Sequence, residues 1–349
     1  MLSTRSARPV SAVRPAARPA SLLLALTPGE IRDFLPGALM REVQSVATRF
    51  DAIDPLAGDE SRFHATLAEV NPEIVVAAWK TPPLPAVLPP RLRYVCYLCG
   101  SVKRLVSADH LEAGLLVTNW GGSISRIVAE WALFHILSCL RRATYWALAM
   151  HRDGAWKNTT TETASLFGRT VGIHGFGLVA RELITLLRPF GVRIRVHAPD
   201  VTPEAEARFD IQRAPSLEAL FAENDIVVEL APLIPETTGI VTEALLRRIR
   251  PGGVFVNLGR GAVVDEEALV RVAREGQVLF GLDVFSVEPL PADHPLRGLT
   301  NVSLTPHLGG PTTDRRRDAG AHGLRNLQAY ATGEPLESVI TPEVYARTS

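Results

Sequence analysis

From residue 21 onward, short apolar runs alternate with stretches of helical periodicity. Ser21 to Leu26 (SLLLAL) is continuously hydrophobic, as a strand buried on both faces must be. Thr27 is the N-cap of a helix that starts at Pro28-Gly-Glu-Ile. Glu73 to Ala78 predicts the second strand, which Lys80-Thr-Pro-Pro closes with a loop. Leu92 to Leu98 predicts the third, ending at Cys99-Gly100-Ser101, and Leu115 to Thr118 the fourth. After the glycine turn Asn119-Trp-Gly-Gly-Ser123, no Pro or Gly interrupts the pattern from Ile124 to about Arg152, which predicts one long helix. Gly154 to Phe167 is a polar linker.

The alternation then resumes. Strands are predicted around Val171 and Ile173, at Val192 to His197, Asp225 to Leu230, Val254 to Leu258, Leu279 to Asp283 and Val302 to Leu304. A helix from Thr242 to Arg250 is stopped by Pro251-Gly-Gly, Asp265 caps the next, and a helical tail runs from about Thr313 to Tyr330. Strands alternating with helices mean an α/β chain with parallel sheets, and 349 residues suffice for two domains with their own cores.

Composition narrows the function. Lys+Arg and Asp+Glu are both 37, so no bulk charge calls for nucleic acid or a membrane surface. The longest apolar segment, Ile127 to Leu140, is broken by Glu130 and His135 and falls short of the ~20 residues of a membrane span. Cys96 and Cys99 form a CxxC, but no second ligand pair accompanies it, so no metal is expected. These and Cys139 read as structural cysteines in a reducing cytoplasm. Residues 1–20 hold Arg5, Arg8, Arg14 and Arg18 with no acid, and Pro9, Pro15 and Pro19; a disordered tail is the preferred reading and a transit peptide the alternative.

The chemistry centres on Gly168 to Arg181, GRTVGIHGFGLVAR. A strand enters Gly175-Phe176-Gly177-Leu178-Val179-Ala180 and a helix leaves it, the arrangement that brings backbone N–H groups to a pyrophosphate. The acid that would hold the adenine-side ribose belongs about 20 residues on. There the chain has Ala198, with Asp200 two residues later.

Three further residues follow predicted strands: Arg260, Glu288 and His307. A guanidinium can clamp a carboxylate, a histidine can protonate a nascent alkoxide, and a carboxylate can orient that histidine. Taken singly they read as a solvated turn, a surface acid and a loop histidine; jointly, beside a dinucleotide turn, they read as a site.

With GFGLVA at 175–180, PLIPET at 232–237, NLGRGAVVDEEAL at 257–269, GLDVFSVEPLP at 281–291 and TPHLGG at 305–310, the chain resembles the D-isomer-specific 2-hydroxyacid dehydrogenases, the family of phosphoglycerate, glyoxylate/hydroxypyruvate and D-lactate reductases. The resemblance implies two Rossmann-like domains with the active site in the interdomain cleft. Residues 21–120 with 311–349 would form the substrate domain and 121–310 the NAD(P)-binding domain. It implies that Arg260 binds the substrate carboxylate, that His307 is the acid/base and that Glu288 is its partner. Asp283 would contact the nicotinamide, and Gly100 and Ser101 the substrate carboxylate. NAD or NADP would be held by Gly175, Phe176, Gly177, Leu178, Val179, Ala198, Asp200, Pro232, Thr237, Leu258, Asp283 and Gly309. The substrate would be a small 2-oxo or 2-hydroxy acid and the enzyme a cytoplasmic homodimer. A chain ending at Ser349 is expected to lack the regulatory domain of the long phosphoglycerate dehydrogenases.

Three departures from the family bear on the cofactor. Ala198 stands in place of the ribose-binding Asp, so either Asp200 substitutes for it or Arg193, Arg195 or His197 accepts a 2′-phosphate. Leu178 stands where many members have Arg, and Leu230 where many have His. The alternatives are a dinucleotide-sensing corepressor of the same fold or a phosphite dehydrogenase; Glu288 disfavours a formate dehydrogenase, whose histidine partner is Gln.

Overall fold

The computed structural model describes residues 18–347. The chain divides into two compact units, one running to Ile124 and resuming at Thr312–Ala346, the other Ser125–Pro311.

In the first unit β1 (Ser21–Ala25), β2 (Arg49–Ile53), β3 (Ile74–Ala77), β4 (Tyr94–Tyr97) and β5 (Leu116–Thr118) form a parallel sheet in the order β2-β1-β3-β4-β5. Every residue of β1, β3 and β4 is buried, which is why these strands read as unbroken apolar runs. Thr27 makes a capping box with Glu30: its hydroxyl accepts the Glu30 N–H at 3.2 Å while the Glu30 carboxylate accepts the Thr27 N–H at 3.0 Å. The edge strand β2 has no counterpart in the sequence reading. It is partly exposed, and its Arg49 and Asp51 pair with each other at 2.8 Å, so it lacks the apolar run that marks its neighbours. The helix Arg316–Thr332 closes this unit. A Cβ at Gly320 would run into the Phe34 carbonyl, so glycine is what lets this helix approach so closely.

In the second unit β6 (Thr170–His174), β7 (Arg193–His197), β8 (Gln212–Arg213), β9 (Ile226–Glu229), β10 (Val254–Asn257), β11 (Leu279–Leu282) and β12 (Val302–Leu304) form a parallel, Rossmann-like sheet. Its order is β12-β11-β10-β9-β6-β7-β8. Chain order reverses between β6 and β9, and the crevice beyond their carboxyl ends is where such sheets take ligands. Phe221, Phe255 and Phe280 are fully buried, with successive ring centroids 5.9 and 6.1 Å apart.

One predicted element is corrected. The single helix from Ile124 to Arg152 is two, Ser125–Leu140 and Ala143–Asp153. At the break Arg142 is left-handed, with φ 55°. The Leu140 carbonyl, which an unbroken helix would give to Thr144, accepts instead the N–H of Ala164 at 2.8 Å. A bond from the linker thus takes over the helix end, and neither Gly nor Pro marks it in the sequence. The Thr242–Arg250 helix is likewise shorter, Glu243–Leu246 followed by a turn.

Candidate active site

β6 ends at His174 and the chain turns at Gly175, where φ is 95°. A Cβ here would stand 2.8 Å from the Leu230 oxygen and 2.9 Å from the Ala231 nitrogen, so only glycine fits between the two loops. At Gly177 the space is open: among the described residues, its own chain neighbours and the adjoining helix backbone aside, no atom lies within 4 Å of where a Cβ would be. Gly177 is the N-cap of the helix Leu178–Leu187, and among the described residues no side chain caps it. An uncapped helix start with room beside it fits a pyrophosphate. Leu178 is exposed and Val179 half-buried, while Phe176 is buried with the Arg181 guanidinium 4.7 Å from its ring centroid.

At the end of β7 Ala198 is buried and Asp200 exposed, its carboxylate 3.9 Å from Arg181. Of the cations weighed for a 2′-phosphate, Arg195 pairs with Glu223 and His197 bonds the Ala214 carbonyl at 3.2 Å; Arg193 is exposed. Beyond β9, Pro232 is exposed, and the Thr237 hydroxyl accepts the Ile234 N–H at 3.0 Å and donates to the Pro232 carbonyl.

The reactive side chains stand beyond β10, β11 and β12. Asn257, last in β10, shapes the next turn by accepting the Gly259 N–H at 3.0 Å and donating to the Arg260 carbonyl at 3.2 Å. Leu258 beside it is buried. Burial lowers the Arg260 guanidinium from its usual value while the Glu288 carboxylate opposes the shift, and it remains a cation at neutral pH. Gly261 packs directly on the Phe285 main chain, which ties the Arg260 turn to the loop carrying Glu288.

Asp283, just past β11, is 1 % exposed and its carboxylate accepts four hydrogen bonds. They come from Trp131 Nε1 at 3.1 Å, the Thr305 hydroxyl at 2.6 Å, and the N–H groups of Leu308 at 2.8 Å and Gly309 at 2.7 Å. Its main-chain oxygen accepts the His307 N–H at 2.8 Å. Asp283 therefore moulds the loop in which His307 sits, left-handed at φ 53°. The imidazole Nδ1 lies 2.7 Å from Glu288 Oε2, and Glu288 Oε1 accepts the Phe285 N–H at 3.0 Å. A carboxylate only accepts, so the proton sits on Nδ1, and Nε2 is left for other chemistry. A cavity of about 530 Å³ lies alongside, lined by Phe285, Glu288, Leu290, Arg297, Leu304 and His307.

The structure thus brings Arg260, Asp283, Glu288, His307 and Gly309 together in one unit. Gly100 and Ser101 belong to the other unit, where Asn119 donates to the Gly100 carbonyl at 2.8 Å and a Cβ at Gly100 would meet the Trp120 ring at 2.8 Å.

Two groups escaped the sequence reading. His135 donates from Nε2 to Thr305 at 2.9 Å, since the Thr305 proton goes to Asp283; its Nδ1 has no hydrogen-bond partner among the described residues. Burial lowers this imidazole to about 4 against the opposing charge of Asp283, so it is neutral. The second group is a buried pair, His174 with Glu229, at 2.6 Å. The first lay hidden in an apolar helix; the second joins strands 55 residues apart.

Cys96, Cys99 and Cys139 are free and buried. Among the described residues no cluster of three or more His, Cys, Asp or Glu could hold a metal, and no helix is long and apolar enough to cross a membrane.

Residues 133–309 match the family model described as D-isomer specific 2-hydroxyacid dehydrogenase, NAD binding domain. Glyoxylate reductase of Thermococcus gammatolerans is 33% identical over 263 residues, 73% of this chain and 78% of that protein. D-3-phosphoglycerate dehydrogenase of Mycobacterium leprae is 32% identical over 278 residues, 79% of this chain and 52% of that one. The crystal structure of a glyoxylate reductase from Paecilomyes thermophila superposes with a TM-score of 0.78 at 25% identity, covering 93% of this chain and 99% of that one. With its motifs on a Rossmann-like sheet and a family match over half its length, the chain belongs to the D-isomer-specific 2-hydroxyacid dehydrogenases and is an NAD(P)-dependent enzyme of that family.

Proposed function

We propose that this enzyme interconverts a small 2-oxo acid and its D-2-hydroxy acid, with Arg260, Glu288 and His307 as the groups that handle the substrate. The observation that carries the reading is the His307–Glu288 contact of 2.7 Å, with Arg260 on the adjoining turn of the same unit. Arg260 takes the substrate carboxylate, for which its planar fork of donors is suited. His307 delivers a proton from Nε2 to the oxygen that was the carbonyl, and recovers it in the reverse direction. Glu288 holds the ring through Nδ1 and stabilises its protonated form. When bound, the nicotinamide supplies or accepts the hydride. Gly175, Phe176, Gly177, Leu178 and Val179 would receive its pyrophosphate, and Ala198 and Asp200 its adenine-side ribose. Asp200, an acid at that place, supports NAD over NADP. Pro232, Thr237, Leu258, Asp283 and Gly309 would complete the cofactor's surroundings.

The glyoxylate reductases among the relatives make glyoxylate the first substrate to try. Phe134, Met150, Trp156 and Phe167, all exposed between Ser125 and Phe167, support a homodimer formed through this unit. The three free thiols support a reducing, cytoplasmic setting.

The test follows loss of NADH or NADPH absorbance with glyoxylate, hydroxypyruvate, pyruvate and a bulky aromatic 2-oxo acid. Turnover is expected with a small member of the panel. His307→Ala should lower kcat by about 10³-fold and leave cofactor affinity unchanged. Turnover retained in that variant refutes the assignment. A wild-type protein that binds NADH but reduces none of the panel refutes the proposed substrate class and favours a dinucleotide sensor.

A further inference from the structure

His174 and Glu229 end β6 and β9, and they are in register as neighbours across the two strands where chain order reverses. Glu229 is 0% exposed and His174 6%. One carboxylate oxygen lies 2.6 Å from His174 Nδ1, and the other accepts the Ala231 N–H at 2.8 Å. Both carboxylate oxygens are therefore engaged, and each bond leads to a different loop. His174 precedes Gly175, the start of the glycine turn. Ala231 precedes Pro232, the start of the loop beyond β9.

Stability alone does not account for the pair. Two ionisable groups at the end of a buried sheet must give up water, and a well-packed apolar pair of similar volume is often no less stable. An apolar pair, however, would leave the Ala231 N–H without this acceptor in a buried position, and nothing would cross-link the two loops through their side chains. The main chains are already close there: Leu230 donates to the His174 carbonyl at 2.9 Å, and Gly175 has no room for a Cβ beside Leu230 and Ala231. The polar row also extends to both sides. In β7, His197 is in register with His174, with ring centroids 6.0 Å apart. In β10, Asn257 is in register with Glu229 and fixes the turn that holds Arg260.

We propose that Glu229 and His174 are positioning residues for the dinucleotide, holding the glycine turn and the Ala231–Pro232 loop at the spacing at which both reach it. The inference rests on the reading that these two loops hold the cofactor. Glu229 and His174 act through the backbone they fix, not by touching the reacting atoms.

The experiment titrates NADH against the full-length protein by fluorescence and measures kcat at saturating NADH. Glu229→Gln keeps an oxygen for Ala231 and offers an amide N–H to His174 Nδ1 once the imidazole proton moves to Nε2, so NADH affinity within about threefold of wild type is expected. The double variant His174→Ile/Glu229→Leu removes both partners and leaves no orphaned charge. It should still fold cooperatively, bind NADH about tenfold more weakly and keep kcat within about twofold. If it does not fold, Glu229→Asp, one methylene too short to bridge both partners, should weaken NADH in the same way. Wild-type NADH affinity in the double variant, or in Glu229→Asp where the double variant does not fold, or a loss confined to kcat, overturns the role of the pair alone. A wild-type protein that binds neither NADH nor NADPH overturns the parent reading as well, which keeps the two failures distinct.

Discussion

Gly261→Ala tests whether the Arg260 turn and the Glu288 loop act as one body. Gly261 is not left-handed, so its requirement for glycine is steric. A Cβ there would fall on the carbonyl carbon and oxygen of Phe285 and on the Ser286 nitrogen, all main-chain atoms that cannot rotate away. Restoring ordinary carbon contacts of ~3.5 Å requires the two segments to part by on the order of 1 Å. Arg260 is adjacent to Gly261, and Phe285 donates to the carboxylate that holds His307, so the parting acts directly on the separation of Arg260 from His307. A displacement of ~1 Å in groups that orient a substrate costs about 10²-fold in rate. Overpacking one methyl adds about 1–3 kcal/mol of destabilisation, which a protein with 5–15 kcal/mol of stability survives folded. The expected result is a kcat/KM for glyoxylate about 100-fold below wild type, with a smaller loss of NADH affinity because the glycine turn lies elsewhere in the sheet. Gly29→Ala is the control for the exchange itself, since its added Cβ meets nothing nearer than 3.7 Å. Native kcat/KM in Gly261→Ala would refute the coupling of the two loops.

His135 gives the protein a defined acid sensitivity. Its folded value of about 4 lies below the ordinary 6.5, so the unfolded chain takes up a proton in that window and the folded one does not. This contribution to stability is complete above pH ~6.5 and lost progressively as pH falls toward ~4, by on the order of 3 kcal/mol in all. His135→Gln should therefore shrink the difference in urea stability between pH 7.5 and pH 5 by about 2 kcal/mol, and an unchanged difference would refute the assignment. The thiols form a separate test. Burial pushes Cys96 and Cys139 up to about 12, and Cys99 upward as well, so an aromatic disulfide reagent should label none of them rapidly in the native protein and all three in denaturant. Rapid labelling without denaturant would contradict the buried placement.

What could be read from the sequence follows a physical division. β1, β3 and β9 are buried on both faces, and such strands write themselves as apolar runs; the glycine turn is legible too, because Gly175 adopts φ 95°, a local backbone demand that glycine meets. β2 escaped because an exposed edge can alternate Arg49 and Asp51 with Phe50 and Ala52 and still complete the sheet. The break at Arg142 escaped because its cause is the Ala164 N–H, 24 positions from the carbonyl it satisfies. The site divides in the same way. Arg260, Glu288 and His307 follow strands, and their chemistry is legible from residue type. Asp283 shows how far that goes: its position is legible, whereas its engagement by Trp131, Thr305, Leu308 and Gly309 depends on a fold that brings residue 131 to residue 283. His174 and Glu229 lie at the far end of this scale. A histidine closing one apolar strand and a glutamate closing another are each unfavourable alone, and the sequence offers no local reason for either. Only the register of β6 against β9 makes each the partner of the other, and that register places the pair under the two loops the cofactor would need.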